Sequence, residues 1–349
     1  MNATSQVVRG RLPMYRRSFP GAHRRAALLS LALAPILAAA LALTACGGGY
    51  SSSKPMAANS TVTMGAIKSL SQSSMTVNAT QFQMAGATVT IDGQPGQESD
   101  LKVGDLVQVK SHHDDGSGDD MADEVDFREA VQGPVTGIDP TTQTLIVLGQ
   151  SVVLSAATSF DEDISPASIA GIALGDILEV SGMTASDGSI HATRIEIKPA
   201  GTPFRVLGTA SSTDANAKTL HINALVVDFS SATLDNFPAS GPADGDLIEA
   251  SGTTLEASGA LQAQRLEQVI NLVDAEDENE GARIEGLITR FASATDFDVA
   301  GHPVSTSATT EFENGTAASL ALNVHVEVEG TVDAQGVLQA SKVDFEGGG

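Results

Sequence analysis

The chain has 349 residues, with 19 Lys plus Arg against 43 Asp plus Glu, a formal charge of −24, one cysteine and no tryptophan. So acidic a protein repels phosphate backbones and anionic headgroups, which argues against nucleic acid as a partner and favours cations or basic surfaces. A single cysteine excludes an internal disulfide, and with aromatics at 4% of residues there are few platforms on which sugars or bases could stack.

The first 45 residues carry Arg9, Arg11, Arg16, Arg17, Arg24 and Arg25 and no acid, followed by an apolar stretch from Ala26 to Leu43. This is the layout of a secretory signal. The stretch is also long enough to cross a membrane as a helix. Leu43-Thr44-Ala45-Cys46 decides between the two readings, because it resembles the lipobox of bacterial lipoproteins, where the thiol is acylated and the chain is cut before it. Residues 1–45 are therefore expected to be a lipoprotein signal peptide, with Cys46 the lipidated N-terminus of a protein anchored to the membrane but not spanning it. Gly47 stands where inner-membrane retention is signalled by Asp, so the expected location is the outer membrane, facing the periplasm or the cell surface. Arg16-Arg17-Ser18-Phe19 resembles part of a twin-arginine export signal, although a basic leader also contains paired arginines by chance. Loss of six arginines and no acid would move the charge from −24 to −30. Residues 46–60, rich in Gly, Ser and Ala, read as a flexible tether.

From Thr61 onward short apolar alternations are punctuated by Gly, Asp, Asn, Ser and Pro, the pattern of strands and turns. A Gly-Asp pair followed by alternating aliphatics recurs at Gly104-Asp105, Gly175-Asp176 and Gly245-Asp246, with a degenerate fourth copy at Asn323-Val324. Each is followed by an alanine that opens a second apolar run, at Ala122, Ala192, Ala263 and Ala340. A fixed period is the signature of a unit used repeatedly. It divides the chain into module 1 (61–130), module 2 (131–199), module 3 (200–273), an acidic linker (274–281) and module 4 (282–349). Asn shares with Gly a tolerance of left-handed backbone angles, whereas Val shares no chemistry with Asp, so the pair reads as a backbone turn and not as a fourfold ligand site.

Module 2 shows the expected elements best. A strand over Gly133 to Ile138 ends in the turn Asp139-Pro140-Thr141-Thr142. A hairpin follows, Thr144 to Leu148 and Ser151 to Leu154, about Gly149-Gln150. Ser165-Pro166 carries a helix-start signal, with Ser at the cap and Pro in the first turn. The last two strands, Ile177 to Val180 and Ile190 to Ile197, flank the turn Ser186-Asp187-Gly188. Five strands with a helical piece between the third and fourth resemble the OB-fold. The expected class is all-β, a tandem array of four small five-stranded OB-like β-barrel modules. Units this small need neighbours, so they are expected to pack in a row, with a hinge at the acidic run Asp274 to Glu280.

The opening glycines Gly65, Gly133, Gly208 and Gly286, the Gly-Asp strand and the closing runs such as Gly188-Ser189-Ile190-His191-Ala192 together resemble the bacterial domain of unknown function numbered 5666. The resemblance covers nearly all of residues 61–349. It implies an exported protein built of tandem copies and carries no catalytic residues with it.

Module 1 departs from the pattern in an expanded loop, His112-His113-Asp114-Asp115-Gly116-Ser117-Gly118-Asp119-Asp120, continuing to Asp123, Glu124 and Asp126. Carboxylates separated by glycine can wrap a hard cation, which makes Asp114, Asp115, Asp119 and Asp120 candidate Ca²⁺ ligands, although the spacing is not that of the helical calcium loop. His112 and His113 could offer nitrogen to zinc or copper, but adjacent residues on a strand point to opposite faces. The alternative is a solvated hairpin loop. Asp274 to Glu280 reads as a self-repelling linker and Asp161-Glu162-Asp163 as a polar loop. The histidines His191, His221, His302 and His325 do not recur at equivalent positions, and no nucleophile elbow, phosphate loop, zinc helix or Cys pair is present. These readings converge on a non-enzymatic outer-membrane lipoprotein that binds or scaffolds an envelope-protein or cell-wall partner. A divalent-cation binder acting through the module 1 loop is the alternative.

Overall fold

The strands form where alternate residues are apolar. In Leu106–Asp114 the side chains of Val107, Val109 and Ser111 turn inward while their neighbours do not, and in Thr219–Ile222 Leu220 and Ile222 do the same. The computed structural model describes residues 60–269, 281–333 and 335–345. Cys46, the leader, the tether and the acidic run 274–280 lie outside these residues.

Module 2 sets the plan. Its first strand, Val131–Asp139, pairs antiparallel with the second, Thr144–Val147, which pairs antiparallel with the third, Gln150–Val153. The third strand meets the fifth, Ile190–Lys198, in parallel. The fifth pairs antiparallel with the fourth, Ile177–Thr184, and the fourth returns antiparallel to the first. The ladder is thus a closed ring in the order 1-2-3-5-4-1, which leaves no strand of the ring wholly unpaired. The other modules close in the same order, from first strands Ser60–Leu70, Phe204–Asp214 and Gly281–Ser293. Each also carries one short additional strand parallel to its fifth, Thr88–Ile91, Ser159–Phe160, Thr233–Asp235 and Glu311–Glu313, an element the sequence patterning did not predict.

Two boundaries shift. The hairpin turn of module 2 sits on Leu148-Gly149, one residue before the expected position. Both residues have positive φ, at 46° and 75°, the two-residue geometry that suits the twist of a hairpin. Leu148 tolerates this because its side chain is buried against Gly133, where a Cβ would come within 2.8 Å of it. The helical piece is a single 3-10 turn, Ile169–Gly171, which starts three residues after Pro166 and places Ile169 and Ile172 in the core. Equivalent turns occur at Glu98–Asp100 and Ala317–Ser319, but among the described residues module 3 has none.

The modules do not follow one another in a row. Each long first strand uses its N-terminal half to pair with the fourth strand and its C-terminal half to pair with the second, so one edge of the N-terminal half is left open. Modules 1 and 4 fill each other's open edge: Thr61 to Met64 run parallel to Gly281 to Ile284. Modules 2 and 3 do the same with opposite polarity, pairing Val131 and Gln132 antiparallel with Val206 and Arg205. An unpaired edge is a standing invitation to aggregate, and pairing the first module with the last removes it.

Candidate functional site

The recurrent Gly-Asp is spent on backbone geometry. Gly104, Gly175, Gly245 and Asn323 have φ of 98°, 91°, 96° and 63°, and each donates its backbone N–H to a first-strand carbonyl, of Ile67, Val135, Ala210 and Ile288 respectively. The following aspartate accepts the N–H three residues back: Lys102 to Asp105 at 2.7 Å, Ala173 to Asp176 and Ala243 to Asp246 at 2.8 Å. Val324 cannot accept such a bond, yet its own N–H still reaches Ala321 O as in the other copies. The turn is constant and the carboxylate an accessory to it. The divergent Asn323 has acquired a separate task, its Oδ1 accepting the Ser186 N–H at 3.1 Å and the Ser186 hydroxyl at 3.0 Å, which ties module 4 to the module 2 hairpin.

The expanded loop of module 1 is the tip of a hairpin, Leu106–Asp114 with Asp119–Phe127. Asp114, Asp115 and Asp119 are exposed there, and Asp120 faces His113 across the ladder, 2.9 Å from its Nδ1. Asp123 engages His112 in the same way, and Asp114 Oδ1 accepts the Gly116 N–H. Among the described residues no group of three or more His, Cys, Asp or Glu stands placed to hold a metal ion. Of the other histidines, His191 is exposed, His302 is buried, and His325 Nε2 lies 3.1 Å from a buried carboxylate, Glu285.

The structure gathers charge elsewhere, at junctions the sequence patterning passed over. Arg128, in the connector between modules 1 and 2, holds Asp126 of its own module and reaches Glu249 at 2.8 Å and Glu267 at 3.2 Å in module 3. Arg205 of module 3 reaches back to Asp92 and, at 3.2 Å, to Glu129. Arg194 of module 2 holds Asp161 and Glu196, lies 3.8 Å from Asp105 and donates to Val103 O of module 1. Burial pushes the Asp105 carboxyl up to about 7, against the pull of the Lys102 N–H and Arg194. Burial, then repulsion from Asp92, places Glu129 well above the carboxylate range, and the same two causes raise Glu249. These residues were missed because no motif carries them. The available signal was scarcity: only 13 cations follow residue 45, and Arg128 and Arg205 flank module boundaries.

All four modules converge on a cavity of about 550 Å³, lined by Met64, Arg128, Met183, Leu207, Leu247 and Ala300 among others. The volume falls within the range of small-molecule sites, and the wall mixes aliphatic with polar groups as such sites do. Two methionines give it an adaptable surface.

Set against known proteins, the chain matches the family model described as Domain of unknown function (DUF5666) over residues 64–126, 132–196, 208–267 and 285–344, one match per module. No curated protein matches it. A solved structure of drosophila Unr CSD456 is similar at 12% identity and a TM-score of 0.19, over 62% of this chain and 98% of that one.

Proposed function

The chain belongs to the DUF5666 family, and from that premise we propose that it is a non-enzymatic, lipid-anchored protein of the outer membrane that binds or scaffolds a partner in the cell envelope. The observation that carries the reading is the cavity at the convergence of the four modules, to which each contributes part of the wall and none a complete site. The anchor rests on the sequence alone, on the lipobox-like segment ending at Cys46.

Two measurements test this. A photo-crosslinking residue at Thr184, on the cavity wall, should capture a recurrent envelope protein or cell-wall fragment in cells, and the same residue at Leu234, exposed and outside that wall, should not. Absence of any recurrent product at Thr184 overturns the binding role. Cys46→Ser should move the protein from the membrane to the soluble fraction, and retention at the membrane overturns the anchor.

A further inference from the structure

Where modules 1, 2 and 3 meet, negative charge outnumbers positive. Arg128 is shared by Asp126, Glu249 and Glu267, and Arg205 by Asp92 and Glu129. Arg194 is shared by Asp105, Asp161 and Glu196, Lys198 by Glu179 and Glu196, and Arg265 by Asp235 and Glu267. Among the described residues, five cations thus serve these ten carboxylates through the pairs just named. Five of the ten, Asp92, Asp105, Glu129, Glu249 and Glu267, are buried, with Glu129 only 2% exposed. A buried carboxylate without its own cation is costly to keep ionised, and the compensation within reach is a proton.

We propose that this three-module junction is a proton-loaded clasp, which holds modules 1, 2 and 3 together while its surplus carboxylates are protonated and loosens as they ionise. The crossings that would be strained are specific. Glu129 of module 1 faces Asp92 of its own module, Glu179 of module 2, and Arg205 of module 3. Glu249 of module 3 faces Asp92, Arg128, Arg205 and Glu267. Asp105 faces Arg194, Glu179 and Glu196 of module 2. Ionising Glu129 sets it against Asp92 with a single guanidinium between them, and ionising Asp105 leaves Arg194 to serve three acids.

The sign is opposite to that of an ordinary salt-bridged acid. Burial raises the folded-state pKa of Asp105, Glu129, Glu179 and Glu249, so the folded chain retains protons that the unfolded chain has released. Their contribution to stability is fully present below the unfolded values, about 3.9 for Asp and 4.3 for Glu, and is lost as pH rises through the folded ones. For Asp105 that window runs from about 4 to about 7. Asp126 and Arg128 also line the central cavity, so loosening of the clasp reaches its wall.

The test is thermal unfolding of the full chain between pH 5 and pH 8, with hydrogen exchange at both ends of the range. The melting midpoint should fall as pH rises. Protection at Leu207, whose N–H bonds Ala130 O across the junction, should drop about tenfold or more after correction for intrinsic exchange, as one unit of pKa shift implies. Protection at Val299, inside module 4, should not, which separates the clasp from the general self-repulsion of an acidic chain. The double variant Glu129→Gln, Asp105→Asn, which imitates the protonated groups, should flatten the decline. A midpoint that holds or rises toward pH 8, equal loss of protection at Leu207 and Val299, or an undiminished decline in the variant overturns the clasp. If the variant does not fold, the exchange comparison in the unmodified chain decides alone.

Discussion

Modules 2 and 3 and modules 1 and 4 are joined through the same half-edge of the same strand, yet the two pairs are different objects. Modules 2 and 3 share one continuous apolar core, in which Val131, Leu148 and Val180 belong to the same cluster as Val206, Leu225 and Ile248. Polar groups at that seam are matched: Gln132 Nε2 donates to Pro203 O at 2.7 Å, Gln150 Nε2 to Ile222 O, and Asn223 Nδ2 to Gln150 Oε1 at 2.7 Å. Modules 1 and 4 keep separate cores, and only Val62 and Met64 of module 1 enter that of module 4. Their seam is a four-residue parallel ladder with Lys68 and His325 near Glu285 and Arg283 near Glu327 and Glu329. Among the described residues, three buried polar atoms around it, Thr63 Oγ1, Asn78 Oδ1 and Glu285 Oε2, lack a hydrogen-bond partner. Strand pairing alone joins two modules, whereas a shared core makes them one folding unit, because backbone bonds contribute a modest net amount and buried aliphatic area a large one.

The largest effect should come from breaking the shared core. Leu225, 4% exposed, packs over the module 2 turn at Gly149. Leu225→Ala should cost about 2 to 5 kcal/mol in urea unfolding, and amides of modules 2 and 3 should lose protection together. Loss confined to module 3 would show that the core is continuous in geometry but not in energy. The corresponding cut in the other pair is smaller. Val62→Ala removes two methyl groups from the module 4 core and should cost about 1.5 kcal/mol, at roughly 0.8 per carbon. A cost as large as that of Leu225→Ala would erase the distinction between the pairs.

The unmatched atoms invite an improvement. Thr63 is 1% exposed and its hydroxyl has no partner. Thr63→Val keeps the shape and removes the stranded oxygen, so the chain should become more stable by about 1 kcal/mol. Destabilisation would mean that the hydroxyl is satisfied in solution, by a water for instance, and that the seam between modules 1 and 4 is as well matched as the other.

Sequence reveals a feature to the extent that the feature constrains residue type. The left-handed turn was legible because its four copies carry Gly or Asn, and the comparison of Gly175 with Asn323 sufficed to separate turn from ligand. The five strands were legible from their alternation, and the turn on Leu148-Gly149 was misplaced by one residue because buried leucine disguises a left-handed position. The pairing of module 1 with module 4 left no trace, since a parallel ladder is made of backbone groups that every residue carries. Nor did the fused core, because an inward-facing valine looks the same whether it faces its own barrel or a neighbour's. The charged junctions fell between these cases. Arg128 and Glu129 stand in a connector where no strand pattern explains them, a sign read only once their partners 121 and 76 residues away are known.

The smallest effect concerns the acidic hairpin of module 1, whose base adjoins the strand that makes the seam with module 4: Ser60 and Thr61 pair with His112 and Ser111. A cation held at its tip would stiffen that strand and give the weaker pair a support the stronger lacks. The geometry argues for no such support. Calcium takes six to eight oxygens, whereas Asp120 and Asp123 are turned to His113 and His112, and Asp114 closes its own loop onto Gly116. Chelator followed by millimolar calcium should therefore move the melting midpoint by less than about 1 °C, equally in the unmodified chain and in the variant with Asp114, Asp115, Asp119 and Asp120 all changed to Asn, since a ligand stabilises only what it binds. A rise of several degrees that the variant abolishes would place a cation at the hairpin. It would also make the stability of the module 1 and 4 pair depend on calcium, a dependence that the shared core of modules 2 and 3 does not carry.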